Sequence, residues 1–212
     1  MKFAAVMFDM DGVVIDSSRV VEASWSSVAV EYGIYLSREE MKHQIHGRPG
    51  MDVLNQIFGH LPDAELMTIQ KKLEQFEERA EYPLIPGVQP VLAKLKASGI
   101  PVALVTSSWE EKVNAVLQSH DLSAYFSVIV TRDDVVHGKP APDCYQLAAR
   151  LLDVDVARCL IFEDSEMGIQ SAVDSGAACL SIGRVGSPQT NLEIAGFADF
   201  AQVGEQYTEL FA

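Results

Sequence analysis

The chain has 212 residues, 48% of them hydrophobic, with 30 acidic against 16 basic side chains and a formal charge of −14. That apolar content suffices for one large domain, or for a core with a smaller appendage. The acidic balance repels polyanions and weighs against nucleic acid or an anionic membrane as partner, while leaving room for a small anion wherever cations gather locally.

Cys144, Cys159 and Cys179 form no CxxC pair and stand near no histidine cluster. Neither a disulfide framework nor a zinc site is signalled, and reduced, buried thiols are expected. The first apolar stretch, FAAVMF at 3–8, is broken by Asp9 and is too short for a signal-peptide core, and no 18-residue apolar run occurs. A cytoplasmic location is the expectation.

In chain order, apolar runs of strand type fall at 3–8, VALVT at 102–106, SVIV at 127–130, CLIF at 159–162 and ACLSI at 178–182. Helical spacing fills the gaps: Val88, Val91, Leu92 and Leu95 share one face, and Val113, Val116 and Leu117 another. Continuous apolar strands alternating with helices predict a doubly wound parallel sheet covered on both sides. Residues 17–82 break the rhythm. They read as successive helices, with Ser37 and Glu40 spaced as a capping box and Leu66, Ile69, Leu73, Phe76 and Ala80 as an apolar seam. The expected organisation is an α/β core of residues 1–16 and 83–212 with an all-helical insert at 17–82. Its hinges are expected near Asp16–Ser18 and at YPLIPG, 82–87, where two prolines restrict the chain. Trp25 and Trp109 are expected in cores, and His46 and His137 on loops.

Ligands of parallel sheets sit beyond the carboxyl ends of the strands, so the polar residues there carry the interest. Asp9 and Asp11 follow the first strand and point to one side of it; Thr106, Ser107 and Ser108 follow the second; Lys139, in HGKPAPD, lies past the third; Glu163 and Asp164 follow the fourth. An EF-hand reading of Asp9-x-Asp11-Gly12 fails, because the glycine is at the wrong offset, Val13 to Ile15 are apolar, and Val20 stands where a bidentate acid is needed.

These four stretches, DMDGVVIDS, Thr106, GKPAPD and Glu163-Asp164, resemble in order the motifs of the haloacid dehalogenase superfamily. The likeness extends to an inserted helical cap, as in its sugar phosphatase and β-phosphoglucomutase subgroup. It implies a Rossmann-like core and a Mg²⁺-dependent phosphatase acting on a small phosphorylated metabolite such as a sugar phosphate. In that reading Asp9 is the nucleophile that forms an aspartyl phosphate, and Asp11 is the acid and base. Thr106 and Ser107 hold phosphate oxygens, and Lys139 offsets the charge in transit. Mg²⁺ is held by the Asp9 side chain, the Asp11 carbonyl, Asp164 and Glu163. Glu163 and Asp164 have a competing reading as acids at the start of the next helix with Ser165 as its cap. HGRP, 46–49, reads as an interhelix turn. In relatives a glycine-containing cap loop here faces the substrate, so the resemblance implies Gly47 and Arg48 as substrate contacts.

The alternatives separate on single features. Mutase relatives carry a histidine early in the first cap helix, where this chain has Arg19-Val20-Val21-Glu22. Dehalogenases lack the second aspartate, present here as Asp11, and the cap loop offers no lysine for phosphonate chemistry. Receiver domains combine the same residue types without catalysis, but their phosphorylated aspartate follows a middle strand of a shorter chain. Oligomeric state is open, with a monomer the simplest reading.

Overall fold

The computed structural model describes residues 3–45, 48, 50–183 and 196–206. The strands are β1 (Ala5–Phe8), β2 (Val102–Val105), β3 (Val128–Val130), β4 (Cys159–Glu163), β5 (Ala178–Ile182) and β6 (Gly196–Phe197). The helices are α1 (Ser18–Glu31), a three-residue α2 (Arg38–Glu40) that runs into a wider turn at Met41–Ile45, α3 (Gly50–Phe58), α4 (Asp63–Glu78), α5 (Val88–Ala97), α6 (Glu110–Ser119), α7 (Asp143–Leu151), α8 (Glu166–Asp174) and α9 (Phe200–Gln206). All six strands are parallel, in the order β3-β2-β1-β4-β5-β6. The two-residue β6 is too short to leave a periodic signal in the sequence.

Strand alternation divides the core into two layers. Val6, Phe8, Val102, Leu104, Leu160 and Phe162 face α5, α6 and α9. Ala5, Met7, Ala103, Val105, Cys159 and Ile161 face α7 and α8. Helices on both faces explain why these strands are apolar throughout rather than on alternate residues. Phe8, fully buried, packs on Phe162 at 5.0 Å and Phe200 at 5.6 Å between ring centres, so truncation to alanine costs about 3–5 kcal/mol.

A third apolar cluster, built from Trp25, Val28, Ala29, Met41, Ile45, Val53, Leu54, Phe58, Ile69 and Leu73, joins α1, α3 and α4 with the segment between α2 and α3. The Ser37–Glu40 capping box is formed: the Ser37 amide donates to Glu40 at 2.7 Å, and the Glu40 amide donates to the Ser37 hydroxyl at 3.2 Å. Of the expected seam on α4, Ile69 and Leu73 are buried, whereas Phe76 is 40% exposed. The chain leaves β1 and returns to α5 side by side: Asp16 N donates to Pro83 O at 2.8 Å, and Ile85 N to Val14 O at 2.9 Å. The free cysteines are buried at Cys144 and Cys159 and half-buried at Cys179. No described helix is long and apolar enough to cross a membrane.

Candidate active site

In this strand order, the chain leaving β1 reaches β2 through α5 on one face of the sheet, while the chain leaving β4 reaches β5 through α8 on the other. Beyond the ends of β1 and β4 the chain therefore diverges and leaves a crevice. Strand register fixes what stands there. Phe8 pairs with Phe162 and the Asp9 amide donates to Phe162 O at 3.0 Å, so Asp9 emerges beside Glu163.

Lys139 arrives from the loop before α7 and is buried. Its Nζ donates to Asp9 Oδ1 at 2.6 Å, to Glu163 Oε1 at 2.6 Å and to the Val105 carbonyl at 3.1 Å. The ammonium thus ties the ends of β1, β2 and β4 together. Tyr145 of α7 donates from its hydroxyl to the same Glu163 oxygen at 2.7 Å, with its ring 4.9 Å from Lys139 Nζ. Glu163 Oε2 accepts from the Asp164 amide at 3.0 Å and from the Ser165 amide and hydroxyl, each at 3.3 Å. Ser165 also caps α8, accepting from the Gly168 amide at 3.0 Å. Glu163 is fully buried at the end of β4, and its carboxylate lies so close to Gly168 that a Cβ there would stand 2.0 Å from it.

Asp9, Glu163 and Asp164 each bring one oxygen to within 4.8 Å of the others. Burial, opposed by Lys139 and reinforced by Glu163 and Asp11, pushes the Asp9 carboxyl up to about 7. Burial and the neighbouring acids likewise push Asp164 well above the usual carboxylate range. One ammonium does not offset three acids, so the cluster is short of positive charge. Clustered hard oxygen donors in need of a cation suit Mg²⁺. Gly12, at φ +82°, lets the chain turn under this cluster, and a Cβ on it would fall 2.0 Å from Asp164 Oδ2.

Asp11 lies beside the cluster with partners of its own. Its Oδ1 accepts from Lys112 Nζ at 2.8 Å and its Oδ2 from the Ser108 hydroxyl at 2.8 Å. Burial pushes the Asp11 carboxyl up, but the Lys112 ammonium and the hydroxyls of Ser17 and Ser108 outweigh it, and the group ends below the usual range. Thr106 is buried after β2, where its hydroxyl accepts from the Ser108 amide at 3.0 Å; Ser107 between them is exposed. Arg48 is exposed and makes its contacts within the helical layer, its amide to Ile45 O at 3.2 Å and its guanidinium to Gln56 of α3 at 3.0 Å. Gly47 and His46 lie outside the described residues; His137 is exposed on its loop.

The sequence reading did not single out Lys112, Tyr145 or Glu77. Lys112, in EEK at the start of a helix, has the pattern of a solvated face, and Tyr145 that of an ordinary core aromatic; only their placement shows otherwise. Trp109, expected in a core, instead stands partly exposed between α4 and Arg132, donating to Glu78 at 2.9 Å with the Arg132 guanidinium 5.1 Å from its ring.

Comparison with known proteins finds relatives over most of the chain. The chain is 32% identical over 184 residues to hexitol phosphatase A of Escherichia coli, an alignment covering 86% of this chain and 84% of the relative. It is 33% identical over 178 residues to a phosphorylated carbohydrates phosphatase of Thermotoga maritima, covering 81% of each. The crystal structure of a mutant of CbbY from Rhodobacter sphaeroides in complex with xylulose-1,5-bisphosphate superposes with a TM-score of 0.81 at 25% identity, over 95% of this chain and 96% of that one. Residues 6–182 match the haloacid dehalogenase-like hydrolases, and the chain belongs to that family.

Proposed function

We propose that the chain is a Mg²⁺-dependent phosphatase that hydrolyses a small phosphorylated metabolite, of the sugar phosphate class, through an aspartyl phosphate on Asp9. The observation that carries this reading is the buried contact of Lys139 with both Asp9 and Glu163 at the joined ends of β1 and β4. An ionised carboxylate is a nucleophile without help from a base. Asp9 attacks phosphorus, the ester bond breaks, and Asp11 delivers a proton to the departing alkoxide. Asp11 then takes a proton from the water that attacks the phosphoryl group, which releases phosphate and restores Asp9. Lys139 holds one Asp9 oxygen and faces the phosphoryl charge; Thr106 and Ser107 stand at the neighbouring strand end to receive its oxygens.

Asp9 and Asp164, with the Asp11 carbonyl, would hold Mg²⁺. Glu163, whose two oxygens already accept from Lys139, Tyr145, Asp164 and Ser165, would support them chiefly from behind. Such an ion supplies charge that offsets the repulsion between carboxylate and phosphate. The residues 17–82 would act as a cap that closes over the rest of the substrate, with Arg48 reaching it. The names of the relatives, a hexitol phosphatase and a phosphorylated carbohydrates phosphatase, support the sugar phosphate class. The first cap helix carries Arg19-Val20-Val21-Glu22 where a mutase would have histidine, which supports hydrolysis over phosphoryl exchange between two sugar positions. Assay of released phosphate from a panel of phosphorylated metabolites, with Mg²⁺ and with chelator, tests the reading. Mg²⁺-dependent release from sugar phosphates supports it, and release from none overturns it.

A further inference from the structure

A second buried ammonium stands where α4 meets the sheet. Lys112, at the start of α6, is only 2% exposed; its Nζ donates to Asp11 Oδ1 at 2.8 Å and to Glu77 Oε2 of α4 at 3.0 Å. The rings of Tyr82 and Trp109 close over it at 5.3 and 5.5 Å. Glu77 is itself buried. It accepts from the Ser24 hydroxyl of α1 at 3.2 Å on its other oxygen, and its carbonyl accepts from the Tyr82 hydroxyl at 2.8 Å. On the same turn of α4, Glu74 accepts from Arg132 at 2.7 Å and Glu78 from Trp109 at 2.9 Å. Three acids spaced i, i+3 and i+4 thus share one helix face that is laid on the sheet's loops.

We infer that Lys112 is a positioning residue: it orients the Asp11 carboxylate and makes that orientation depend on α4 being docked, because one ammonium holds both Asp11 and Glu77. Proton transfer at the leaving oxygen needs Asp11 within hydrogen-bond reach of it, and a displacement of about 1 Å costs on the order of 10²-fold in rate. A buried ammonium shared by two carboxylates has a fixed place that a solvated lysine lacks. If α4 lifts away with Glu77, Lys112 loses one of its two anions and the pocket of Tyr82 and Trp109 opens with it. Cap docking and acid placement are thereby one event rather than two.

The inference rests on the phosphatase reading, and leaving groups test it. An alkyl phosphate needs a proton on its departing oxygen; dinitrophenyl phosphate, whose phenolate leaves unaided, does not. In the Mg²⁺-loaded enzyme, Lys112→Met is expected to lower kcat/KM for the alkyl ester by about 10²-fold and for the aryl ester by less than about threefold. Lys112→Arg, which can still reach both acids, recovers at least about tenfold of the alkyl loss. Because Lys112→Met strands Glu77 as a buried acid, the double variant Glu77→Gln/Lys112→Met carries the same comparison in a less strained protein. It is expected to be no worse than Lys112→Met alone, since residues acting through one contact do not add. Equal losses on both esters, or additive losses in the double variant, overturn the role given to Lys112. A parent enzyme that hydrolyses neither ester overturns the phosphatase reading itself.

Discussion

Lys139 Nζ and Asp9 Oδ1, 130 residues apart in the chain, meet at 2.6 Å in a buried pair that also engages Glu163. Burial works against the Lys139 ammonium, yet the charges of Asp9 and Glu163 hold it above the usual lysine range. The lysine is therefore both a fastener of three strand ends and the fixed positive charge of the site. Lys139→Ala is expected to abolish hydrolysis and to destabilise the fold by about 3–5 kcal/mol, since it removes the ammonium that two buried carboxylates share. Lys139→Met/Glu163→Gln should recover much of the stability and none of the activity. Denaturant unfolding beside a phosphate-release assay checks both, and an alanine variant as stable and as active as the parent would reduce Lys139 to an ordinary lysine.

Gly12→Ala is expected to raise the Mg²⁺ concentration needed for half-maximal activity by about tenfold or more. The new methyl would stand 2.0 Å from Asp164 Oδ2, on a residue whose φ of +82° strains any side chain. Titration of activity with Mg²⁺ decides it, and an unchanged midpoint would remove Asp164 from the metal site.

The raised carboxyl of Asp9, from 3.8 to about 7, fixes the sign of a pH effect in the metal-free protein. Between those values the native state binds more protons than the unfolded chain, so stability falls as pH rises through this window. Asp164 shifts in the same direction and adds to it. Mg²⁺ held by these acids would supply the missing positive charge only when they are ionised. The rise in Tm on adding Mg²⁺ should accordingly be larger at about pH 8 than at about pH 5. A rise independent of pH would contradict a metal held by these carboxylates.

Arg48→Ala is expected to lower kcat/KM for the best sugar phosphate about tenfold or more, with little effect on a small aryl phosphate that does not extend to the cap. The arginine is exposed and joined to the helical layer through Gln56, a contact whose loss leaves the apolar cluster of that layer intact. Kinetics on the two substrates separate the cases, and an equal loss on both would mark Arg48 as a structural residue.

The sheet was legible in the sequence because a strand covered on both faces must be apolar throughout, as VALV and CLIF are. Asp9, Glu163 and Asp164 stood out for a related reason, since each follows such a run at the end where a parallel sheet leaves space for a ligand, whereas Lys139, nine residues past β3, stood out through the resemblance of GKPAPD to a family motif. Lys112 and Glu77 were not, because both sit in helices whose sequence pattern is that of a solvated face. Their burial comes from α4 lying against α6, a contact between segments 35 residues apart that no local spacing encodes. Phe76 shows the converse, an apolar residue on the α4 seam that remains 40% exposed because the helix turns that edge outward.

The central claim is that phosphate passes through Asp9, and acid quenching during turnover tests it most directly. The enzyme is mixed with Mg²⁺ and a hydrolysed phosphate ester, stopped in acid within one turnover, digested, and examined by mass spectrometry for a phosphoryl adduct. The adduct is expected on the peptide containing Asp9, increased in Asp11→Asn relative to the parent and absent in Asp9→Asn. Turnover with no adduct on Asp9, or with an adduct on another residue, would contradict the account.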